Sequence, residues 1–271
     1  MSQNLGHIRK EWISACGFHE MTEGAVLEEV ARRVRVLKAK AGPDRKAHPL
    51  VLLDLDSTLY EVGPRTYQIL REWIETPAAK KFPGVVEALK RAEPWHVGYS
   101  VRDTLTAVGL NADAEETRGA QEEIKTFWAD RFFTSAYLPY DHAYPGAAEF
   151  TRQVYELGAE IVYLTGRDEP GMGDGTRANL LRDGFPWEVE RTHLLLKKAA
   201  HLPDLDHKKE AAHYIRAHGT LVASFENEPP NIVALHEIFP EAMHVFVDTV
   251  CSDHPAHARE GLYKIARFTA L

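Results

Sequence analysis

Cysteine is nearly absent from the chain: Cys16 and Cys251 are the only two in 271 residues, and they lie far apart. That excludes a disulfide framework and a cysteine-rich zinc cluster, and it points to a reducing compartment. Long apolar runs are missing too, since nothing approaches the ~18 consecutive apolar residues of a membrane span. The opening Met-Ser-Gln-Asn-Leu-Gly has no apolar segment of the secretory type. The expected location is the cytoplasm, with no membrane partner. Positive charge is in deficit, with 32 Lys and Arg against 40 Asp and Glu and a formal net charge of -8. No global attraction for nucleic acid follows, so nucleic acid is not expected as a stable partner, and a phosphorylated ligand would need local cations. Repeats and low-complexity tracts are absent as well.

What is there is enough apolar material, 44% of the residues, for one large core and a smaller second unit. The chain is organised around Val51-Leu-Leu-Asp-Leu-Asp-Ser-Thr-Leu-Tyr60, bracketed by Pro49 and Gly63. Branched aliphatic residues bounded by turn formers predict a short buried strand whose C-terminal end carries Asp54. Because strand side chains alternate, Asp54 and Asp56 can converge on one ligand while Leu53 and Leu55 enter the core. Adjacent carboxylates repel, and a shared proton or a bound cation relieves them. An EF-hand loop also begins Asp-x-Asp but needs Gly at its sixth position and Glu at its twelfth, where this chain has Leu59 and Arg65. An Asp-rich turn that caps its own backbone is the plainer alternative.

Residues 1–48 read as an N-terminal helical extension, with Val26, Val30, Val34 and Leu37 on one stripe, Thr22 near the start and Gly42-Pro43 as the stop. Its apolar face would pack on the core or on a second copy, making a homo-oligomer through these helices one expected assembly. After the central strand, residues 64–138 carry helical periodicity and almost no strand signal, which predicts an inserted all-helical cap. Residues 49–63 and 139–271 form the core. In the latter, a helix stops at Gly158, a strand runs from Ala159 to Leu164, and a polar turn Thr165-Gly166-Arg167-Asp168 follows. A helix is then expected from Gly175-Thr176, a strand over Thr192–Leu196, and a helix opened by Lys208 and Lys209. Strands over Leu221–Phe225 and Met243–Val247 complete the pattern. Counting back from Ala211, Ala212 and Ile215 places Lys208 on the apolar face, so Lys208 is the inward cation and Lys209 the alternative.

Alternating apolar strands and helices predict an α/β fold with a doubly wound parallel sheet, whose ligands lie beyond the strands' carboxyl ends. Three such ends carry polar clusters: Asp54 with Asp56, Thr165 to Asp168, and Glu226 to Glu228. With Lys208 added, the set is what phosphoryl transfer through an aspartyl-phosphate needs: a carboxylate nucleophile, an acid/base, phosphate donors and ligands for Mg²⁺.

In this order the residues resemble the haloacid dehalogenase superfamily of phosphotransferases. Asp54-Leu-Asp56-Ser-Thr58 matches its first motif, Thr165 the second, Lys208 the third, and Glu226-Asn227-Glu228 loosely the fourth, where Asp is usual. The likeness covers residues 49 to about 250. It implies a Rossmann-like core and a Mg²⁺-dependent phosphomonoester hydrolase acting on a small phosphorylated metabolite. Asp54 would be the nucleophile and Asp56 the acid and then the base. Thr165, Gly166 and Lys208 would hold the transferring phosphoryl oxygens. Mg²⁺ would be held by the Asp54 side chain, the Asp56 backbone carbonyl and Glu226, with Asn227 and Glu228 as alternatives to Glu226. Dehalogenating members lack the second Asp, so Asp56 argues for phosphate chemistry. A phosphotransferase or mutase on a sugar phosphate is the alternative enzyme, and a catalytically idle binding module the alternative class. Arg167 is expected on substrate or on Asp168. Tyr99, Arg102, Trp128 and Arg131 could meet the leaving group, and His254 and His257 are expected at the surface.

Overall fold

The computed structural model describes residues 6–42 and 47–268. Residues 1–5 and Pro43, one of the expected helix stops, lie outside them. The elements are α1 (Gly6–Ala15), β1 (Gly17–Phe18), α2 (Glu23–Lys40), β2 (Pro49–Leu53), β3 (Tyr60–Glu61), α3 (Gly63–Trp73), α4 (Pro83–Lys90), α5 (Val101–Ala107) and α6 (Glu115–Phe132). They continue with β4 (His142–Ala143), α7 (Ala147–Glu156), β5 (Glu160–Asp168), α8 (Glu169–Arg182), β6 (Thr192–Lys197) and α9 (Asp204–His218). The last are β7 (Thr220–Glu226), α10 (Pro229–Ile238), β8 (Met243–Val247) and β9 (Glu260–Ile265).

The chain divides into two units. The first contains residues 1–60, 143–170 and 180–271, the second residues 61–142 and 171–179. A seven-stranded sheet in the order β1-β9-β8-β7-β2-β5-β6 builds the first unit, with every pairing parallel. The fold is therefore α/β with a parallel sheet, as expected. β2 lies between β5 and β7, the place where the strand order changes direction, and such switch points are where open parallel sheets form ligand crevices. All five β2 residues are buried, as a strand covered on both faces requires. Leu50 and Leu52 pack with Val162, Leu164, Ala211, Ile215 and Leu235.

The helical stripe of the N-terminal extension packs on the core, one of the two placements expected for it. β1 pairs with β9 at one sheet edge, and α2 lies against β2, β7, β9 and α7. Val26, Val30 and Val34 are thereby fully buried within the chain. Thr22 caps α2 by accepting from the Ala25 amide at 3.3 Å. Several elements differ from the sequence reading. The expected turn at Thr165–Asp168 is strand, because β5 continues to a final pairing of Asp168 with Lys197. α8 starts at Glu169 rather than at Gly175, and α9 at Asp204 rather than at Lys208.

Cross-strand polar pairs also sit in this sheet. Ser224 and His244 are partners across β7 and β8. The Ser224 hydroxyl lies 2.8 Å from His244 Nδ1, and His244 Nε2 lies 2.9 Å from the Phe239 carbonyl. A neutral ring that accepts at Nδ1 and donates from Nε2 satisfies both contacts. Burial, only partly offset by the Phe239 carbonyl and reinforced by His236, pushes His244 down to about 4. A folded value below the unfolded 6.5 means that the unfolded chain binds more protons between those limits, so this contribution is complete above pH 6.5 and is lost toward pH 4. The loss should amount to about 3 kcal/mol. Urea unfolding at pH 7 and pH 4 should show it in the wild type, and His244→Gln should flatten that part of the pH slope.

The second unit has its own core, in which Leu70, Trp73, Val85, Leu89, Leu105 and Ile124 cluster. Residues 171–179 join it because Ser135 bonds the Gly171 carbonyl through its amide (2.8 Å) and hydroxyl (3.0 Å), while Asn179 Nδ2 donates to the Leu138 carbonyl at 2.8 Å. Arg65 and Asp141 form a fully buried ion pair. Arg65 Nε donates to Asp141 Oδ1 (2.8 Å), Nη2 to Oδ2 (2.6 Å) and Nη1 to the Phe132 carbonyl (3.1 Å), and the guanidinium lies 4.1 Å from the centre of the Phe132 ring. Arg65→Met would strand a buried carboxylate, so a loss of about 3–5 kcal/mol is expected, with partial recovery when Asp141→Leu is added. Chemical unfolding followed by tryptophan fluorescence reads this unit through Trp73, Trp95 and Trp128.

Candidate active site

The site assembles at the carboxyl ends of the three central strands. Leu53 pairs with Tyr163 on one side and with Phe225 on the other, so Asp54 and Glu226 each follow a residue of the same cross-strand register. The Asp54 amide donates to the Phe225 carbonyl at 3.1 Å, while Leu53 and Leu55 are fully buried. After Asp54 the backbone turns tightly. The Leu55 carbonyl accepts from the amides of Thr58 (3.1 Å), Leu59 and Tyr60 (2.9 Å each), and Ser57 takes a positive φ of 60°. Thr249 holds the turn by donating its hydroxyl to the Ser57 carbonyl.

Lys208 is buried, whereas Lys209 is exposed. It lies in the second turn of α9, and its Nζ donates to Asp54 Oδ1 at 2.8 Å and to Glu226 Oε2. Two buried carboxylates therefore share one ammonium. Burial, with the Glu226 charge adding to it and Lys208 opposing, pushes Asp54 up to about 7. Glu226 is raised as well, by burial against the pull of Lys208. Burial disfavours the Lys208 ammonium, but Asp54 and Glu226 outweigh it and the lysine stays well above its usual range. The directions agree: one cation cannot fully compensate two desolvated anions.

Asp56 is turned to a different partner. Arg167, buried at the end of β5, donates from both Nε (3.0 Å) and Nη2 to Asp56 Oδ1. The guanidinium lies 5.5 Å from the centre of the Tyr60 ring. Arg167 thus holds the second aspartate, a pairing that the sequence reading did not foresee. Thr165 is buried, and its hydroxyl accepts from the Arg167 amide at 3.2 Å.

The acidic cluster after β7 divides its work among three residues. Glu226 faces Lys208 and also accepts from the Glu228 amide at 3.0 Å. Asn227 accepts from the Thr58 hydroxyl (3.1 Å) and donates to the Val250 carbonyl (2.6 Å). Glu228 accepts from the Ser252 amide (2.9 Å) and hydroxyl. Of the three, Glu226 alone shares Lys208 with Asp54. Ser252 and Thr249 are the supporting residues that sequence reasoning missed, along with Asp56 as the partner of Arg167. Among the described residues, no three His, Cys, Asp or Glu side chains are gathered as a ready-made metal site.

The chain is similar in trace to several proteins of known structure. One is a candidate phosphatase from Clostridium difficile, at 13% identity over 79% of this chain and 94% of that one, with a TM-score of 0.47. Another is the β-phosphoglucomutase of Pyrococcus sp. strain ST 04, at 15% identity over 81% and 93%, with a TM-score of 0.45. A third is a haloacid dehalogenase-like family hydrolase from Streptococcus pneumoniae, at 12% identity over 73% and 83%, with a TM-score of 0.39. No protein-family model and no curated protein matches the sequence.

The remaining sequence candidates have partners or positions of their own. In the second unit Arg102 pairs with Asp113 at 2.9 Å, and Arg131 lies 3.4 Å from the centre of the Phe127 ring. Trp128 donates to the Thr66 hydroxyl at 2.9 Å, and Tyr99 is exposed. His254 and His257 lie at the surface of the first unit. No helix among the described residues is long and apolar enough to cross a membrane.

Proposed function

We propose that the protein is a Mg²⁺-dependent phosphomonoester hydrolase of the haloacid dehalogenase type, working through an aspartyl-phosphate on Asp54. The observation that carries this reading is the sharing of the Lys208 ammonium between Asp54 and Glu226 at the switch point of a parallel sheet. The Asp56–Arg167 pair on the neighbouring strand end supports it.

In the first half-reaction an Asp54 carboxylate oxygen attacks phosphorus and the ester P–O bond breaks. The leaving oxygen takes a proton from Asp56. In the second half, Asp56 removes a proton from water, the water oxygen attacks phosphorus, and the bond to Asp54 breaks to return the carboxylate and release phosphate. Lys208 anchors Asp54 through Oδ1 and, with the Thr165–Gly166 backbone and hydroxyl, would hold the phosphoryl oxygens. Arg167 orients Asp56.

Mg²⁺ fits the donors present. Asp54, Glu226 and the Asp56 backbone carbonyl offer only hard oxygen ligands, and the two buried carboxylates carry more negative charge than Lys208 offsets. The ion would supply charge neutralisation at the transferring phosphoryl group. The longer Glu226 replaces the usual Asp and retains the carboxylate. A small phosphorylated metabolite is the substrate class inferred from the inserted helical unit.

The test is turnover of an aryl phosphate. Rates should fall to background after chelation and return on adding Mg²⁺, while Ca²⁺ should restore little, because its larger and looser coordination shell tolerates more oxygens at longer distance. Equal rates with chelator and with Mg²⁺ would refute the metal role, and no turnover on aryl phosphates or a panel of phosphorylated metabolites would refute the hydrolase reading.

A further inference from the structure

Lys197 is the last residue of β6, buried and paired in register with Asp168. Its ammonium has three donors, and three acceptors meet it: the Ala200 carbonyl at 3.1 Å, the Leu202 carbonyl at 3.0 Å and Asp204 Oδ1 at 2.8 Å. The loop between β6 and α9 is thus knotted onto one side chain. Asp204 is the first residue of α9, one helical turn before Lys208.

The other side of the Asp204 carboxylate faces Gly166, near the carboxyl end of β5. A Cβ placed on Gly166 would lie 2.3 Å from Asp204 Oδ2 and 2.7 Å from its Cγ, closer than nonbonded atoms approach. Gly166 does not have a positive φ; a side chain there would meet the Asp204 carboxylate, which would have to leave its place on Lys197 or shift. Asp204 therefore bonds Lys197 through Oδ1 and occupies the space beside Gly166 with Oδ2, and it is the first residue of the helix that delivers Lys208 to Asp54.

We propose that Lys197 and Asp204 are positioning residues: their clasp sets the distance between Thr165–Gly166 near the end of β5 and Lys208, the two elements that would hold the transferring phosphoryl group. The inference rests on the phosphatase reading for its catalytic consequence, though not for the clasp itself. Neither side chain need touch substrate. Both act through Gly166 and α9, and a displacement of about 1 Å in such a pair can cost on the order of 10² in rate.

The experiment compares the wild type with Lys197→Met, Lys197→Arg, Asp204→Ala, Asp204→Asn, and Gly166→Ala with and without Asp204→Ala. The readouts are kcat and KM on an aryl phosphate and hydrogen exchange of the backbone amides. Lys197→Met and Asp204→Ala should lower kcat about 10- to 100-fold with KM changed less than about threefold. Lys197→Arg and Asp204→Asn preserve donors and acceptors and should recover most of the rate, to within about fivefold of wild type. Gly166→Ala should cost about tenfold or more alone, yet add less than about twofold when Asp204→Ala has removed the obstructing carboxylate.

Retention of kcat within about twofold in both Lys197→Met and Asp204→Ala would overturn the proposal, as would full additivity of Gly166→Ala with Asp204→Ala. If the wild type shows no Asp54-dependent turnover, the phosphatase reading falls and hydrogen exchange alone judges the clasp. Amides 165–167 and 205–208 should then exchange about tenfold faster in Lys197→Met but not in Lys197→Arg, with β2 and β7 unchanged. Unchanged exchange in those segments would overturn the clasp. Should Lys197→Met fail to fold, Asp204→Ala carries both arms, since that side chain is half exposed.

Discussion

Asp54→Asn should abolish turnover, by about 10⁴-fold or more, while leaving the protein at least as stable as the wild type. An amide has nearly the same shape as the carboxylate and can still accept from Lys208, but it is a poor nucleophile. The stability half of the expectation comes from the charge count. With Asp54 neutral, Glu226 and Lys208 become a one-to-one pair in place of two buried carboxylates sharing one ammonium. Asp54 is displaced upward from 3.8 to about 7 in the folded protein, so the folded state binds more protons than the unfolded one across that window. The Asp54 contribution to wild-type stability therefore declines as pH rises through it. The advantage of Asp54→Asn should widen between pH 4 and pH 7 when unfolding is followed without divalent metal. Turnover within tenfold of wild type would sink Asp54 as nucleophile, and an advantage that shrinks over this range would contradict the electrostatic account.

Lys208→Met is the opposite case, and it should damage activity and stability together. The substitution preserves much of the apolar stem but leaves Asp54 and Glu226 buried with no ammonium between them. Removing one partner of a buried charge set typically costs about 3–5 kcal/mol. Adding Glu226→Gln to Lys208→Met should return a large part of that loss without restoring turnover, because the gain in stability comes from removing charge and not from rebuilding a phosphate contact. Urea unfolding of the single and double variants, with aryl phosphate rates alongside, measures both. A stable Lys208→Met protein would show that the two carboxylates are solvated or protonated in ways the close contacts do not allow.

How far the sequence could be read depended on the range of the interaction involved. Asp54 was legible because an apolar run ending in a carboxylate is a local pattern, and Lys208 was legible because helix periodicity separates it from Lys209. The Asp56–Arg167 pair spans 111 positions and leaves no local trace, so Arg167 was expected on substrate or on its neighbour Asp168. Glu226, Asn227 and Glu228 are adjacent in sequence and take separate partners only in three dimensions, namely Lys208, Thr58 with Val250, and Ser252. Turn propensity at Thr165–Asp168 was overridden by pairing with β6. Gly171, Gly173 and Gly175 concealed the first half of α8, since glycine weakens every helical signal. β1 has two residues, too few for any period, and only its pairing with β9 reveals it.

The order of strands in the sheet also has a consequence for how the protein is made. β2 is synthesised early, but its neighbours are β5 and β7, and β1 pairs with β9. On a ribosome, Val51–Leu53 would emerge and then wait while all of residues 61–142 are added, a stretch whose apolar cluster is complete in itself before β7 exists. Such distant pairings make folding slow and leave hydrophobic strands exposed in the interval. The helical insertion is thus the part that can gain a core during translation, whereas the carboxylates and Lys208 meet only after Glu226 has left the exit tunnel. A nascent chain stalled before that point would carry the Asp54 motif in full and have no site.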